Sequence, residues 1–118
     1  MDNSFKKNNS FDKRKAESDK IIEKYPNKIP LVINKYSKCK DLEDLDKKKF
    51  LIPDSLVVGN ITTIIKKRLN LSPEKSIFLY CDDNSICPTS STMSTVYKQS
   101  KNEDGFLYLY YVGENTFG

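Results

Sequence analysis

The residues best placed to do chemistry stand at the end of the sequence. Phe117-Gly118 closes a short polar run, Gly113-Glu114-Asn115-Thr116, behind an apolar stretch at 106–112. A domain that ends strand, polar tail, glycine has the layout of a protein whose reacting group is its own carboxylate. Such a carboxylate is adenylated, passed to a cysteine of another protein as a thioester, and attacked by an amine. Glycine suits that work because no side chain crowds the carbonyl and most backbone angles are open to it. A terminal glycine is also an ordinary event, at about 7% of residues, so the rest of the chain must support the reading.

The other reactive side chains argue against catalysis. Cys39, Cys81 and Cys87 are an odd number of thiols without a CxxC pair, the usage of a reducing compartment. Histidine is absent, which removes the commonest general base and metal ligand. A cysteine–histidine nucleophile and a Cys/His zinc site are therefore impossible. We expect no enzyme, no metal and no cofactor. The net charge of +4 is modest, and the chain has no RNP-type aromatic motif, zinc finger or basic helix, so nucleic acid is not an expected partner. A basic nucleic-acid-binding domain is the remote alternative.

One domain is expected from 118 residues, with 37% hydrophobic and 31% charged residues giving a solvated surface. No apolar run reaches the roughly 18 residues of a membrane span. The first residues lack the apolar stretch of a secretory signal.

Periodicity supplies the elements that would position the glycine. Residues 1–10 are polar and read as mobile or marginally helical. A helix over Phe11–Lys24, capped by Ser10, carries Phe11, Ile21, Ile22 and Tyr25 on one broad face and stops before Pro26. Strands are expected at 29–35 and 48–53; in the second, Phe50 and Ile52 face one way and Leu51 the other. The clearest helix spans 58–71, with Ile61, Ile64, Ile65 and Leu69 at helical spacing. A strand at 77–81, a turn at 82–85, a brief helix after Thr92 and a last strand at 106–112 complete the order. The last strand is apolar throughout, as a central strand should be. Two strands, a crossover helix and further strands give an α+β, ubiquitin-like β-grasp: a mixed four-stranded sheet wrapping a helix, its last strand beside its first. The expected divisions are an N-terminal helical extension over 1–27, the core over 28–112 and a flexible conjugation tail over 113–118.

Several runs, in order, resemble the autophagy ubiquitin-like modifiers of the GABARAP and microtubule-associated-protein light-chain type. They are Phe11-Asp12-Lys13-Arg14, Lys24-Tyr25-Pro26-Asn27-Lys28-Ile29-Pro30 and Leu45-Asp46-Lys47-Lys48-Lys49-Phe50-Leu51-Ile52-Pro53. Ile65-Lys66-Lys67-Arg68-Leu69, Pro88-Thr89-Ser90 and Glu103-Asp104-Gly105-Phe106-Leu107-Tyr108 follow, ending in aromatic-glycine. The resemblance implies that Gly118 is joined to the amine of phosphatidylethanolamine by the family's activating, conjugating and scaffold enzymes. A delipidating cysteine protease would reverse the link. The chain would then divide between cytoplasm and autophagosomal membranes, and support membrane expansion.

The resemblance also implies docking of cargo-receptor peptides, which carry an aromatic and an aliphatic anchor three residues apart. Strand addition at 48–52 would hold their backbone. Glu17, Ile21, Pro30, Val32, Lys49, Leu51 and Phe106 would line the aromatic pocket. Phe50, Ile52, Pro53, Leu56, Ile61, Ile64 and Arg68 would surround the aliphatic one. Lys28, Lys47 and Lys49 would meet acidic or phosphorylated flanks. On pattern alone, Ile61 and Ile64 read as core and the lysine run as a solvated edge.

There are departures from the family pattern. Cys87 stands at a family proline, the loop before it looks one residue longer, and Gly105 is read as standing where an aromatic is common, which would loosen the neighbouring pocket. Ending at glycine, the sequence would need no proteolytic priming. Phe5 and Phe11, isolated among polar residues, either touch lipid or pack onto the domain. An unconjugated peptide-binding adaptor and a modifier of protein lysines remain the alternatives.

Overall fold

The computed structural model describes residues 3–114. Four helices and four strands lie within them: α1 (Ser4–Asn8), α2 (Phe11–Lys24), β1 (Lys28–Lys35), β2 (Lys49–Pro53), α3 (Val58–Arg68), β3 (Ile77–Cys81), α4 (Met93–Ser100) and β4 (Leu107–Gly113). The strand order is β2-β1-β4-β3. β1 pairs antiparallel with β2 and parallel with β4, and β3 pairs antiparallel with β4. The first and last strands are thus neighbours at the centre, as expected of a β-grasp. β4 is buried along its whole length.

Local chemistry sets the boundaries. Ser10 accepts a hydrogen bond from the Lys13 N–H, and Thr92 accepts one from Thr95, starting α2 and α4. α3 stops at Arg68, short of the expected 71. Asn70 takes a left-handed φ of 56°, while Leu69 and Leu71 still pack on the core after the helix has ended. The apolar spacing therefore outran the helix. The connection between β1 and β2, expected to be polar over 36–46, buries Cys39, Leu42 and Leu45, and its Glu43 carbonyl accepts the Tyr111 hydroxyl at 2.5 Å.

The sheet has two buried sides. On one, Ile29, Leu31, Ile33, Leu79, Leu107, Leu109 and Tyr111 pack with Val58, Ile61 and Ile65 of α3 and Met93 and Val96 of α4. On the other, Val32, Phe106, Tyr108 and Tyr110 form an aromatic layer with Phe5 and Ile21. α2 does not cover that layer with the face expected. Phe11, Ile22 and Tyr25 are exposed, and Ser18 is the buried residue. The covering stripe is Arg14, Ser18 and Ile21, spaced by four and three residues as one helix face requires. Two of its members are polar, so hydrophobicity could not reveal it. Ser18 donates to the Asp104 carbonyl, and Arg14 Nη1 donates to the buried Asp104 carboxylate at 2.6 Å.

Of the two readings of residues 1–10, the described residues 3–10 take the helical one, as α1, which docks onto the domain. Asn3 caps α1, and its Nδ2 donates to the Tyr110 hydroxyl at 3.0 Å. Lys6 Nζ meets Asp82 Oδ2 at 2.5 Å. Phe5 packs edge-on to Phe106, with ring centroids 5.1 Å apart. Of the two aromatics read as candidates for lipid contact, Phe5 packs onto the domain and Phe11 stays exposed.

Glycine is required at two backbone positions. Gly105 turns at a φ of +92°, and a Cβ there would strike Ser18 Oγ. It is a turn residue beside α2. Gly113 lets the Asp41 carboxylate lie against the backbone at the end of β4.

The buried tyrosines give the fold an alkaline limit. Burial is the main reason that Tyr108, Tyr110 and Tyr111 are held above the ordinary phenol range, with Asp104, Asp82 and Asp44 adding to it. An unfolded chain releases phenolic protons from about pH 10. The folded chain keeps them, so it binds more protons above that pH, and stability is lost as pH rises. The melting temperature should show no loss from these groups below about pH 10 and fall steeply beyond it. Circular dichroism melts should show a shallower fall for Tyr110→Phe.

Candidate functional site

β2 is an edge strand, paired among the described residues only with β1. Its outer side offers backbone N–H and C=O groups to an added strand. Alternation divides its side chains between the two sides of the sheet. Lys49 and Leu51 stand opposite Val32 and Pro30, on the side of the aromatic layer. Phe50 and Ile52 stand opposite Leu31 and Ile29, on the side of α3.

This arrangement determines what an added peptide could present. In an extended chain, residues three apart point to opposite faces, because the side-chain period is two. An aromatic and an aliphatic anchor at that spacing would straddle β2, one on each side of the sheet.

On the aromatic-layer side, Glu17, Ile21, Lys47, Lys49, Phe50, Leu51 and Phe106 line a pocket of about 250 Å³. Five of these, Glu17, Ile21, Lys49, Leu51 and Phe106, were expected around an aromatic anchor. Pro30 and Val32 are buried on the same side, in register with Leu51 and Lys49. Leu51 is 37% exposed, a large apolar side chain left at the rim. Lys49 Nζ reaches Glu17 Oε2 at 3.2 Å. Both partners are well exposed, so the pair contributes about 0–1 kcal/mol and its lysine is easily redirected to an acidic ligand.

The α3 side differs from the expected aliphatic pocket. Ile61 is 1% exposed and Ile52 5%, and both belong to the core. Ile61 shares the sheet-facing stripe of α3 with Val58 and Ile65. Ile64 lies at its border and is half-buried, as are Phe50 and Leu56. The reachable part of this side is therefore Phe50, Leu56, Ile64 and Arg68, with exposed Pro53 at the end of β2. Two cations approach the Phe50 ring, Lys47 Nζ and Arg68 Cζ, each 5.2 Å from its centroid. Arg68 also pairs with Asp46 at 3.3 Å.

Lys28 is not brought to this pocket. It pairs with Pro53 at the far end of the register and borders a separate cleft of about 260 Å³ with Pro26, Ile29, Tyr97 and Lys101. The residue that sequence reasoning did not assign to the docking surface is Phe5. With Ser4, Asn8, Asn9 and Lys47, Lys48 and Lys49 it lines a neighbouring pocket of about 450 Å³, and Lys49 Nζ lies 5.3 Å from its ring. The signal was a lone aromatic in a polar run, which composition alone cannot direct to a partner. Gly118 lies outside the described residues. Among the described residues, no helix is long and apolar enough to cross a membrane.

Residues 13–118 match the family model described as autophagy protein Atg8, ubiquitin like. The chain is 51% identical to autophagy-related protein 8 of Schizosaccharomyces pombe, covering 100% of this chain and 96% of that one. It is 51% identical to autophagy-related protein 8e of Arabidopsis thaliana, covering 97% and 92%. The crystal structure of Trypanosoma brucei ATG8 superimposes with a TM-score of 0.90 at 36% identity, covering 100% of both chains. The β-grasp with its edge strand β2, and a likeness that runs the length of the chain, together establish that this protein belongs to the Atg8 family of autophagy ubiquitin-like modifiers.

Proposed function

We propose that this modifier is joined through the Gly118 carboxylate to the amine of phosphatidylethanolamine, and that it docks receptor peptides at the β2 edge. The activating, conjugating and scaffold enzymes of the family carry out the joining, and a cysteine protease releases the lipid. The lipid brings two acyl chains, which meets the two-signal requirement for stable anchoring of a soluble domain. The chain then moves from the cytoplasm to the autophagosomal membrane and supports its expansion. In this reading residues 1–27 are the helical extension, 28–112 the core and 113–118 the tail that enters the enzymes.

The observation that carries the docking half is the pocket between α2 and β2, open beside an unpaired strand edge. A peptide with an aromatic-x-x-aliphatic core lays its backbone along β2, sets the aromatic ring against Ile21, Leu51 and Phe106, and sets the aliphatic group against Phe50, Leu56 and Ile64. Acidic residues flanking the core meet Lys47 and Lys49.

Isothermal titration with such a synthetic peptide tests this. Leu51→Ala removes part of the pocket wall, about 1–2 kcal/mol of apolar contact, and should weaken binding roughly tenfold. Phe78→Ala, an exposed change on the opposite edge strand β3, should leave affinity intact. Unchanged binding by Leu51→Ala with a loss in Phe78→Ala would move the docking surface to the other edge.

A further inference from the structure

Cys81 closes β3 and Cys87 lies on the returning arm of the same hairpin. Tyr80 and Ile86 bridge the two arms, with the Cys81 N–H on the Ser85 carbonyl and the Cys87 N–H on the Leu79 carbonyl, each at 2.9 Å. The turn between them is tightly built. Asn84 takes a left-handed φ of 66° and donates to the Cys81 carbonyl, while Asp83 Oδ1 accepts from the Ser85 N–H and hydroxyl. Alternation sends both cysteines inward, and their sulfurs stand 3.1 Å apart, as free thiols. A disulfide is about 2.05 Å long, so closure asks for about 1 Å of sulfur travel.

We propose that Cys81 and Cys87 are a modification site, a reversible disulfide formed by a hydroperoxide. In the first step the Cys81 thiolate attacks the peroxide, the O–O bond breaks, and a sulfenic acid and a hydroxide or alkoxide result. In the second, the Cys87 sulfur attacks the Cys81 sulfur, the S–O bond breaks, and the hydroxide leaves as water with the Cys87 proton. Two thiols have lost two electrons and the peroxide has gained them. A dithiol reductant returns the pair to thiols by exchange.

Cys81 suits the attacking role. The Cys87 thiol donating to it, helped by the Ser100 and Ser85 hydroxyls, pulls it down to about 7 against the upward push of burial. That lowering favours the thiolate, the reactive form. The neighbouring Cys81 sulfur and burial push Cys87 upward, as befits the resolving partner. Cys81 is 2% exposed and Cys87 5%, so a small peroxide reaches them more readily than a bulky reagent. The site lies on an edge strand whose turn residues 83–86 are exposed, which lets the hairpin open locally. Cys39 belongs to another loop, with its sulfur 3.2 Å from Asp41 Oδ1, and serves as an internal control.

The test treats the reduced full chain with hydrogen peroxide, blocks remaining thiols with an alkylating reagent in denaturant, and reads mass. No lysine or arginine separates the cysteines, so both fall in the tryptic peptide spanning 76–98. That peptide should lose two hydrogens and take no label, while Cys39 alone is alkylated, and dithiothreitol should restore labelling of all three. Cys39→Ala should keep the bond. Cys87→Ala should instead leave a Cys81 sulfenic acid that dimedone traps. Three free thiols after excess peroxide, a bond involving Cys39, or Cys81 passing directly to sulfinic acid in the unmodified sequence would overturn the proposal.

Discussion

Deleting Gly118 is expected to abolish the lipid adduct and leave the folded domain unchanged. The two halves of that result have separate causes. Among the described residues the last strand, β4, ends at Gly113, and Glu114 is exposed. Among the described residues the core draws on 107–112 and its partners. Thermal unfolding should therefore shift by less than about 1 °C, as for surface changes worth a few tenths of a kcal/mol. Chemistry at the terminus is a different matter. Without Gly118 the carboxylate belongs to Phe117, whose side chain crowds the carbonyl that the enzymes must activate. Gly118→Ala adds only a methyl group and should slow transfer less severely than deletion. Peptide affinity should be equal in all three proteins, because the β2 surface is untouched. A lipid adduct on the deleted chain would remove Gly118 from its proposed role.

The largest expected change in stability comes from Asp104→Ala. Its carboxylate is fully buried and accepts from Arg14 Nη1 at 2.6 Å, the Tyr108 hydroxyl at 2.5 Å and the Phe106 N–H at 2.8 Å. It links α2 to the start of β4, beneath the pocket that Phe106 helps to line. Alanine leaves three donors without their acceptor, and one of them is a guanidinium whose side chain is 13% exposed. Breaking such a buried pair from one side costs about 3–5 kcal/mol. Against a whole-domain stability of about 5–15 kcal/mol, this is a large fraction. At this chain length it lowers the melting temperature by roughly 10–20 °C. Combining Asp104→Ala with Arg14→Met should cost less than the sum of the single changes, since the stranded charge is then absent. A shift of only a degree or two for Asp104→Ala would show that this cluster does not hold α2 to the sheet.

That same cluster explains where the sequence was hard to read. β1, β3, α3 and β4 were legible because apolar spacing reports burial directly, as in Ile61 and Ile65 or in the unbroken run of β4. α2 was legible as a helix but not in its orientation. Its inward stripe carries Arg14 and Ser18, whose burial depends on Asp104, ninety residues away from Arg14. The docking of α1 was hidden for a similar reason. It rests on Asn3 with Tyr110, Lys6 with Asp82 and Phe5 with Phe106, three contacts across the length of the chain. At the candidate site, Leu51 pointing away from Phe50 and Ile52 revealed that β2 has an outward apolar residue. The partition of the α3 side into core and reachable surface could not be read, because Ile61 and Ile64 share one pattern and differ only in how far each turns from the sheet.

In the proposed function this modifier acts by carrying lipid on its last carboxylate. The most direct measurement is intact mass after incubation with the cognate activating and conjugating enzymes, ATP and vesicles containing phosphatidylethanolamine, with a lysine-rich protein present as competitor. A mass increase equal to phosphatidylethanolamine less one water, mapped to Gly118, is expected, with no adduct on the competitor. Thioester formation on the enzymes followed by transfer to protein lysines alone would contradict it.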